Sequence, residues 1–244
     1  MIKGIDVSHW QGSIDWNAVK ADGYEFAIIK AGGSDSGFYT DRMFRSNYEG
    51  AKAAGLAVGA YYFVGMYCKS YEDGVADAKR FIAMLSGLQF EYPVFIDFEA
   101  PDASDKEGNT EACIGFCKTM EDNGYFAGIY ASEISGFHDR LDDSKLQSYS
   151  HWVARYGNRP STIPESVFGI WQHSSTGSVA GISGDVDLDI SYVDFPYIIK
   201  KAGLNGFTAW QPEPEPTEAP VELTLEERVA ALEEKMNIII DKLG

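Results

Sequence analysis

The amino-acid sequence predicts an α/β barrel that turns irregular in its last third. Two observations carry this: short β-rich runs alternate with helical patterns through the first half, and eight strand candidates occur in all. Continuous apolar strands need cover on both faces, so their alternation with helices points to βαβ units on a parallel sheet. With 244 residues, 45% hydrophobic and 14% aromatic, the chain can fill one full-size domain and keep a short tail.

The elements follow in order. "MIKGID" is the first strand, and "VKADG" closes the first helical unit at Gly23. "EFAIIKAG", "AVGAYYFVG", "YPVFIDFE" and "FAGIYAS" are the next four strands. The helices between them stop at Gly55, Gly87 and Gly124, where glycine supplies the left-handed cap of a helix-to-strand turn. After Ser132 the rhythm changes: "HWVARY", "FGIWQHSS" and "GDVDLDIS" read as strands joined mostly by loops. "YVDFPYIIKKAG" is expected to close the domain as a helix interrupted at Pro196.

The domain is expected to span residues 1–210. At 211–221 alternating Pro and Glu predict a stiff, extended linker. In 222–244, Leu225, Val229, Leu232, Met236, Ile239 and Leu243 follow steps of four and three, a heptad seam opened by the capping box "TLEE". Such a short helix is marginal alone. Self-association into a homo-oligomer is expected over docking back on the domain.

A net charge of −17 argues against nucleic acid or an anionic membrane as partner. The N-terminus lacks a secretory pattern and no run reaches membrane-span length, so the protein is expected to be cytoplasmic until it is released or exported by another route. Cys68, Cys113 and Cys117 cannot all pair within one chain. Cys113 and Cys117 have helical metal-ligand spacing but no partner Cys/His pair, which favours buried free thiols. No metal or other cofactor is expected.

One stretch poses the functional question. "PVFIDFEA" (93–100) is apolar up to Asp97 and Glu99, which share a face as i and i+2, roughly 6.6 Å apart at about 3.3 Å per residue. Charged groups are rarely buried without a partner or a task. Asp6 ends the first strand run, and Asp187 lies in the last. In a barrel of parallel strands, functional groups gather at the strands' C-terminal ends. Crowded carboxyls raise one another's pKa, so one stays protonated beside an ionised neighbour, as glycosidic cleavage requires. The same set could hold Mg²⁺ or Ca²⁺, which keeps a metal-dependent hydrolase open. His9, His138, His151 and His173 show no HExxH-like spacing. Tyr61, Tyr62, Tyr130, Trp152 and Trp171 near strand ends suggest rings for apolar sugar faces, which a non-catalytic carbohydrate-binding protein would also need.

"GIDVSHWQGSIDW", "FAIIKAG", "GAYYF", "IDFE", "GIYAS", "WVARY" and "IWQHSSTGSVAGISGDVDLD" together resemble family 25 glycoside hydrolases, the N-acetylmuramidase lysozymes of phage endolysins and bacterial autolysins. The resemblance covers residues 1–207 or so and leaves out linker and terminal helix. It implies a flattened barrel of roughly five β/α units followed by plain strands, and cleavage of the β-1,4 bond between N-acetylmuramic acid and N-acetylglucosamine in bacterial peptidoglycan. Position by position, it implies Glu99 as general acid and Asp97 as its helper, either orienting the acetamido group or holding an anion beneath the reacting carbon. Asp6 and Asp187 would shape charge and proton positions, and Lys30 would hydrogen-bond substrate or an acid. Tyr61, Tyr62, Tyr130 and Trp171 complete the expected substrate-binding set. The chain departs from the pattern at Asp189, where the family often has Asn, and at Tyr62, where it often has His.

Overall fold

The computed structural model describes residues 1–164, 167–209 and 224–226. One compact unit spans Met1–Trp210 and a second spans Gln211–Gly244. The expected linker and all heptad positions except Leu225 lie outside the described residues.

Eight strands close the barrel: β1 (Ile2–Val7), β2 (Phe26–Gly33), β4 (Ala57–Phe63), β5 (Val94–Asp97), β6 (Ala127–Ser132), β7 (Ser150–Ala154), β8 (Phe168–Gly177) and β9 (Val186–Ser191). The short β3 (Tyr39–Thr40) pairs antiparallel with the end of β2. Around the ring the order is β1-β9-β8-β7-β6-β5-β4-β2, and β1–β2 pairing closes it. Every barrel neighbour is parallel except β9, which runs antiparallel to both β1 and β8.

Helices α1 (Trp16–Ala21), α2 (Phe44–Ala53), α3 (Tyr71–Leu85) and α4 (Lys106–Asp122) follow the first four long strands. After β6, a π-helical turn at Glu133–His138 and a 3-10 turn at Asp143–Lys145 stand in for a fifth helix. Beyond β7 the strands follow one another without helices among the described residues, as the change of rhythm after Ser132 predicts. Gly23, Gly55, Gly87 and Gly124 all have positive φ, the left-handed cap expected of them. The closing helix corrects one expectation. α5 (Phe195–Ala202) is not interrupted by Pro196, which sits in its first turn where the missing N–H has no helical acceptor to lose.

Strand alternation divides the core in two. Phe26, Ile28, Tyr61, Phe95, Tyr130, Trp152 and Ile170 fill the barrel. Ile29, Val58, Tyr62, Ile96, Phe98 and Val153 face outward with Phe81, Cys113, Phe116 and Cys117 from the helices. All three cysteines are buried free thiols.

α3 and α4 approach closely because each presents glycine to the other's backbone. A Cβ at Gly74 would lie 2.0 Å from the Ala112 carbonyl oxygen, and one at Gly115 would lie 2.2 Å from that of Tyr71. Neither obstacle is a side chain that can turn away. Gly115→Ala is therefore expected to force the helices apart and cost about 1–3 kcal/mol, read as a lower denaturant midpoint at unchanged m-value.

Candidate active site

The inward-facing positions at one end of the barrel build the site. On β1 these are Gly4 and Asp6. On β5 they are Phe95 and Asp97, with Val94, Ile96 and Phe98 packed outside. β5 ends at Asp97, yet Phe98 stays extended, its N–H donating to the Tyr130 carbonyl at 3.0 Å. The alternation therefore runs on to Glu99, at the rim.

Antiparallel β9 brings its first residues to this same end. Asp187 sits directly across from Asp6, and Asp189 across from Gly4, one step deeper. Asp187 thus opens its strand rather than ending one, and the reversed direction of β9 delivers it to the mouth.

The two carboxyls of "IDFE" have different surroundings. Asp97 is 4% exposed, and its Oδ1 has no hydrogen-bond partner. Burial, then the charge of Glu99, pushes its carboxyl well above the usual range, against the pull of Lys30 and Arg140. Glu99 reaches solvent at the rim, but the surrounding protein still strips enough water to raise its carboxyl, again opposed by Lys30 and Arg140. Arg140 is anchored there by donating from Nη1 to the Phe98 carbonyl at 3.3 Å. Lys30 lies over the Phe63 ring, 4.4 Å from Nζ to centroid, and 6.0 Å from the centroid of Tyr61.

A second carboxyl group lies across the mouth. Asp6 and Asp189 are both buried. Gln172 Nε2 donates to Asp6 Oδ2 at 2.8 Å, and Trp152 Nε1 donates to Asp189 Oδ1 at 2.8 Å. Tyr130 and Tyr156 hydroxyls both donate to Gln172 Oε1, at 2.9 and 3.3 Å. Burial and neighbouring acids raise all three aspartates: Asp6 well above its ordinary value, Asp187 to about 6 and Asp189 to about 8.

Of the residues singled out in the sequence, Asp6, Lys30, Tyr61, Asp97, Glu99, Tyr130 and Asp187 come together at this mouth. Tyr62 and Trp171 do not. Tyr62 is fully buried outside the barrel between Phe81 and Phe116, and its hydroxyl donates to Asp77 at 3.3 Å. Trp171 packs against the outer core layer and donates its indole N–H to the Arg155 carbonyl at 2.7 Å. The cause is the same for both: next to an inward residue on the same strand, Tyr61 or Gln172, they must point out. Trp152 takes the interior position instead. Gln172, Tyr156 and Arg140 were not anticipated. The polar Gln172, two residues after inward Ile170, was the one readable signal.

Residues 5–182 match the family described as Glycosyl hydrolases family 25. The chain is 33% identical to an autolytic lysozyme of Clostridium acetobutylicum over 188 residues, 77% of this chain and 55% of that protein. It is 32% identical to Lysozyme M1 of Streptomyces globisporus over 213 residues, 76% of this chain and 66% of that one. It thus spans about half to two thirds of these relatives. The crystal structure of the bacterial lysozyme from Streptomyces coelicolor superposes with a TM-score of 0.67 at 29% identity, covering 82% of this chain and 96% of the other.

Proposed function

The chain belongs to glycosyl hydrolases family 25, and from that premise we propose that it hydrolyses the β-1,4 bond between N-acetylmuramic acid and N-acetylglucosamine in bacterial peptidoglycan. The observation that carries this is the unequal pair at the end of β5: an open carboxyl, Glu99, two residues beyond a buried one, Asp97, whose Oδ1 has no partner.

Glu99 can be reached by a glycosidic oxygen and holds its proton above the ordinary carboxylate range, which suits a general acid. An acetamido N–H is the donor that would satisfy the open acceptor on Asp97. Asp97 would thereby steer the substrate's own carbonyl oxygen toward the anomeric carbon and stabilise the ring that forms. Lys30 and Arg140 balance the charge of the pair as the proton leaves Glu99. Asp6 and Asp187 form the opposite wall, with Tyr61 and Tyr130 between them and the pair. Release of new reducing ends from purified peptidoglycan tests this reading; saccharide binding without any release would overturn it.

The loops at this end expose apolar side chains suited to a long polymer. Trp10 follows β1, Phe38 follows β2, Tyr67 follows β4 and Tyr156 follows β7, all exposed. Trp10 is the largest, 81% exposed and beside the His9 ring at 4.7 Å between centroids, with His9 held by Asp41 at 2.6 Å. Ring stacking on sugar is worth about 0.5–1.5 kcal/mol if it matches that of aromatic pairs. Trp10→Ala is expected to raise the KM for polymeric peptidoglycan by about 2–12-fold, the equivalent of that energy, with little change in kcat. Steady-state kinetics on solubilised glycan chains check it.

A further inference from the structure

The turn that leaves β1 at the mouth carries the exposed Trp10, and its neighbours hold it from three sides. His9–Gln11 is a 3-10 turn closed by a capping box: Ser8 Oγ accepts the Trp10 N–H at 3.2 Å, and Gln11 Oε1 accepts the Ser8 N–H at 2.9 Å. Gln11 Nε2 donates to the Asp185 carbonyl, just before β9, at 3.3 Å. The third hold is Asp41. It is buried, and its own N–H donates to the Ala31 carbonyl at 2.8 Å, which seats it beside the end of β2. Asp41 Oδ1 accepts the Met43 N–H at 2.8 Å, while Oδ2 bonds both the His9 N–H at 3.2 Å and His9 Nδ1 at 2.6 Å.

Backbone N–H groups can only donate, so both Asp41 oxygens serve as acceptors and the proton on the bond to His9 belongs to Nδ1. Nε2 then points away from Asp41, and among the described residues no hydrogen bond or ion pair reaches it. The imidazole is 24% exposed. Trp10 lies beside it, and at 81% exposure most of its indole stays open. The turn thus presents a bare apolar ring next to a ring nitrogen with no partner. A pyranose offers the matching pair: an apolar face of C–H groups and hydroxyls around its edge.

We propose that His9 is a sugar-binding residue and that Asp41 is the positioning residue that aims it. A sugar unit lies on the open face of Trp10, and one of its hydroxyls bonds to His9 Nε2. A hydroxyl both donates and accepts, so the contact serves either charge state of the ring. β1 and β5 stand three places apart around the barrel, so this sugar is a unit further along the glycan chain than the one beside Asp97 and Glu99. The contact therefore acts on binding of the polymer and not on the bond being cleaved.

The inference rests on the peptidoglycan reading of the site, and its test separates the two. Steady-state kinetics are measured on solubilised glycan chains. His9→Phe keeps a ring beside Trp10 but has no nitrogen, and its KM is expected to rise about 2–12-fold, the usual net contribution of one hydrogen bond, with kcat close to that of the parent. His9→Gln returns a polar group near the place of Nε2 and should recover part of the loss. Asp41→Ala also removes a buried acceptor and should lower the melting temperature, so its role is read from a double-mutant cycle: it should raise KM in the parent but not in His9→Phe. A spectroscopic reading needs no turnover. In Glu99→Gln, the His9 Nε2 ¹⁵N shift should move when the chains are added, while Nδ1 keeps its proton. A parent-like KM in His9→Phe, or an unmoved Nε2 shift in protein saturated with glycan, would overturn the proposal and leave the cleavage assignment standing. An equal KM rise from Asp41→Ala in both backgrounds would remove Asp41 from the positioning role. Failure of the parent to release any reducing ends would overturn both readings together.

Discussion

Glu99→Gln is expected to lose about 10²–10⁴-fold in kcat on peptidoglycan, the usual contribution of a positioned general acid. Glutamine preserves the shape of the side chain and can still donate a hydrogen bond, but it has no proton to transfer to the leaving oxygen. Glu99 lies at the rim and packs into neither core layer, so the variant should fold and bind glycan like the parent. In the parent, burial raises this carboxyl, so the rate should hold above the ordinary carboxylate range and fall once pH rises through the raised value. That alkaline limb should change in the variant, because the group that produces it is gone. The variant should also let Asp97 ionise more easily, since the charge of Glu99 is the second largest cause of its raised value. Equal rates for variant and parent, at equal folded protein, would remove Glu99 from the acid role.

Glu133→Ala is expected to cause the largest loss of stability, about 2–4 kcal/mol, because it leaves two backbone N–H groups without their acceptor and Arg155, whose side chain is 33% exposed, without its partner. Glu133 opens the turn after β6 and is 1% exposed. Its carboxylate pairs with Arg155 and accepts the backbone N–H groups of Ser161 and Thr162, both at 2.7 Å, and the Thr162 hydroxyl at 2.8 Å. One side chain thus fastens the loop beyond β7 to the end of β6. At about 2–4 °C per kcal/mol for a domain of this size, the melting temperature should fall on the order of 10 °C. The pH dependence identifies the cause. Burial alone would raise the Glu133 carboxyl, but the N–H donors and Arg155 outweigh it and hold it at about 2. A depressed value means that the stabilisation is present above the ordinary value of 4.5 and is lost as pH falls toward 2. The variant should lack that part of the parent's acid lability. A melting temperature within a degree or two of the parent at pH 7 would contradict this account.

What the sequence could reveal followed from how directly a residue's neighbours in the chain set its position. The strands before Ser132 were legible because apolar runs and glycine caps are local signals, and all four capping glycines adopt positive φ. Asp97 and Glu99 were legible as one group because two residues along an extended chain share a face. The same rule could have separated Tyr61 from Tyr62, since adjacent strand residues cannot both face the barrel. Trp171 posed a harder problem: the pairing of β7 with β8 shifts between His151 and Trp152, so facing across strands cannot be counted from sequence. The reversed direction of β9 was also invisible locally, although it decides that Asp187 meets Asp6 at the mouth. Gln172 joins Asp6 across 166 positions of sequence. A lone glutamine in an apolar strand is a buried polar group in search of a partner, but nothing near it in the chain names that partner.

The most direct test of the account is to identify the sugar at the newly formed chain end. Purified peptidoglycan is digested, the reducing ends are converted to alditols with borohydride, and the product is hydrolysed and analysed. The account predicts muramitol, the reduced form of N-acetylmuramic acid after hydrolysis, appearing with the parent and not with Glu99→Gln. Glucosaminitol in its place would mean that the other glycosidic bond is cut, and would contradict the assignment of the acetamido-bearing muramic acid to the position beside Asp97 and Glu99.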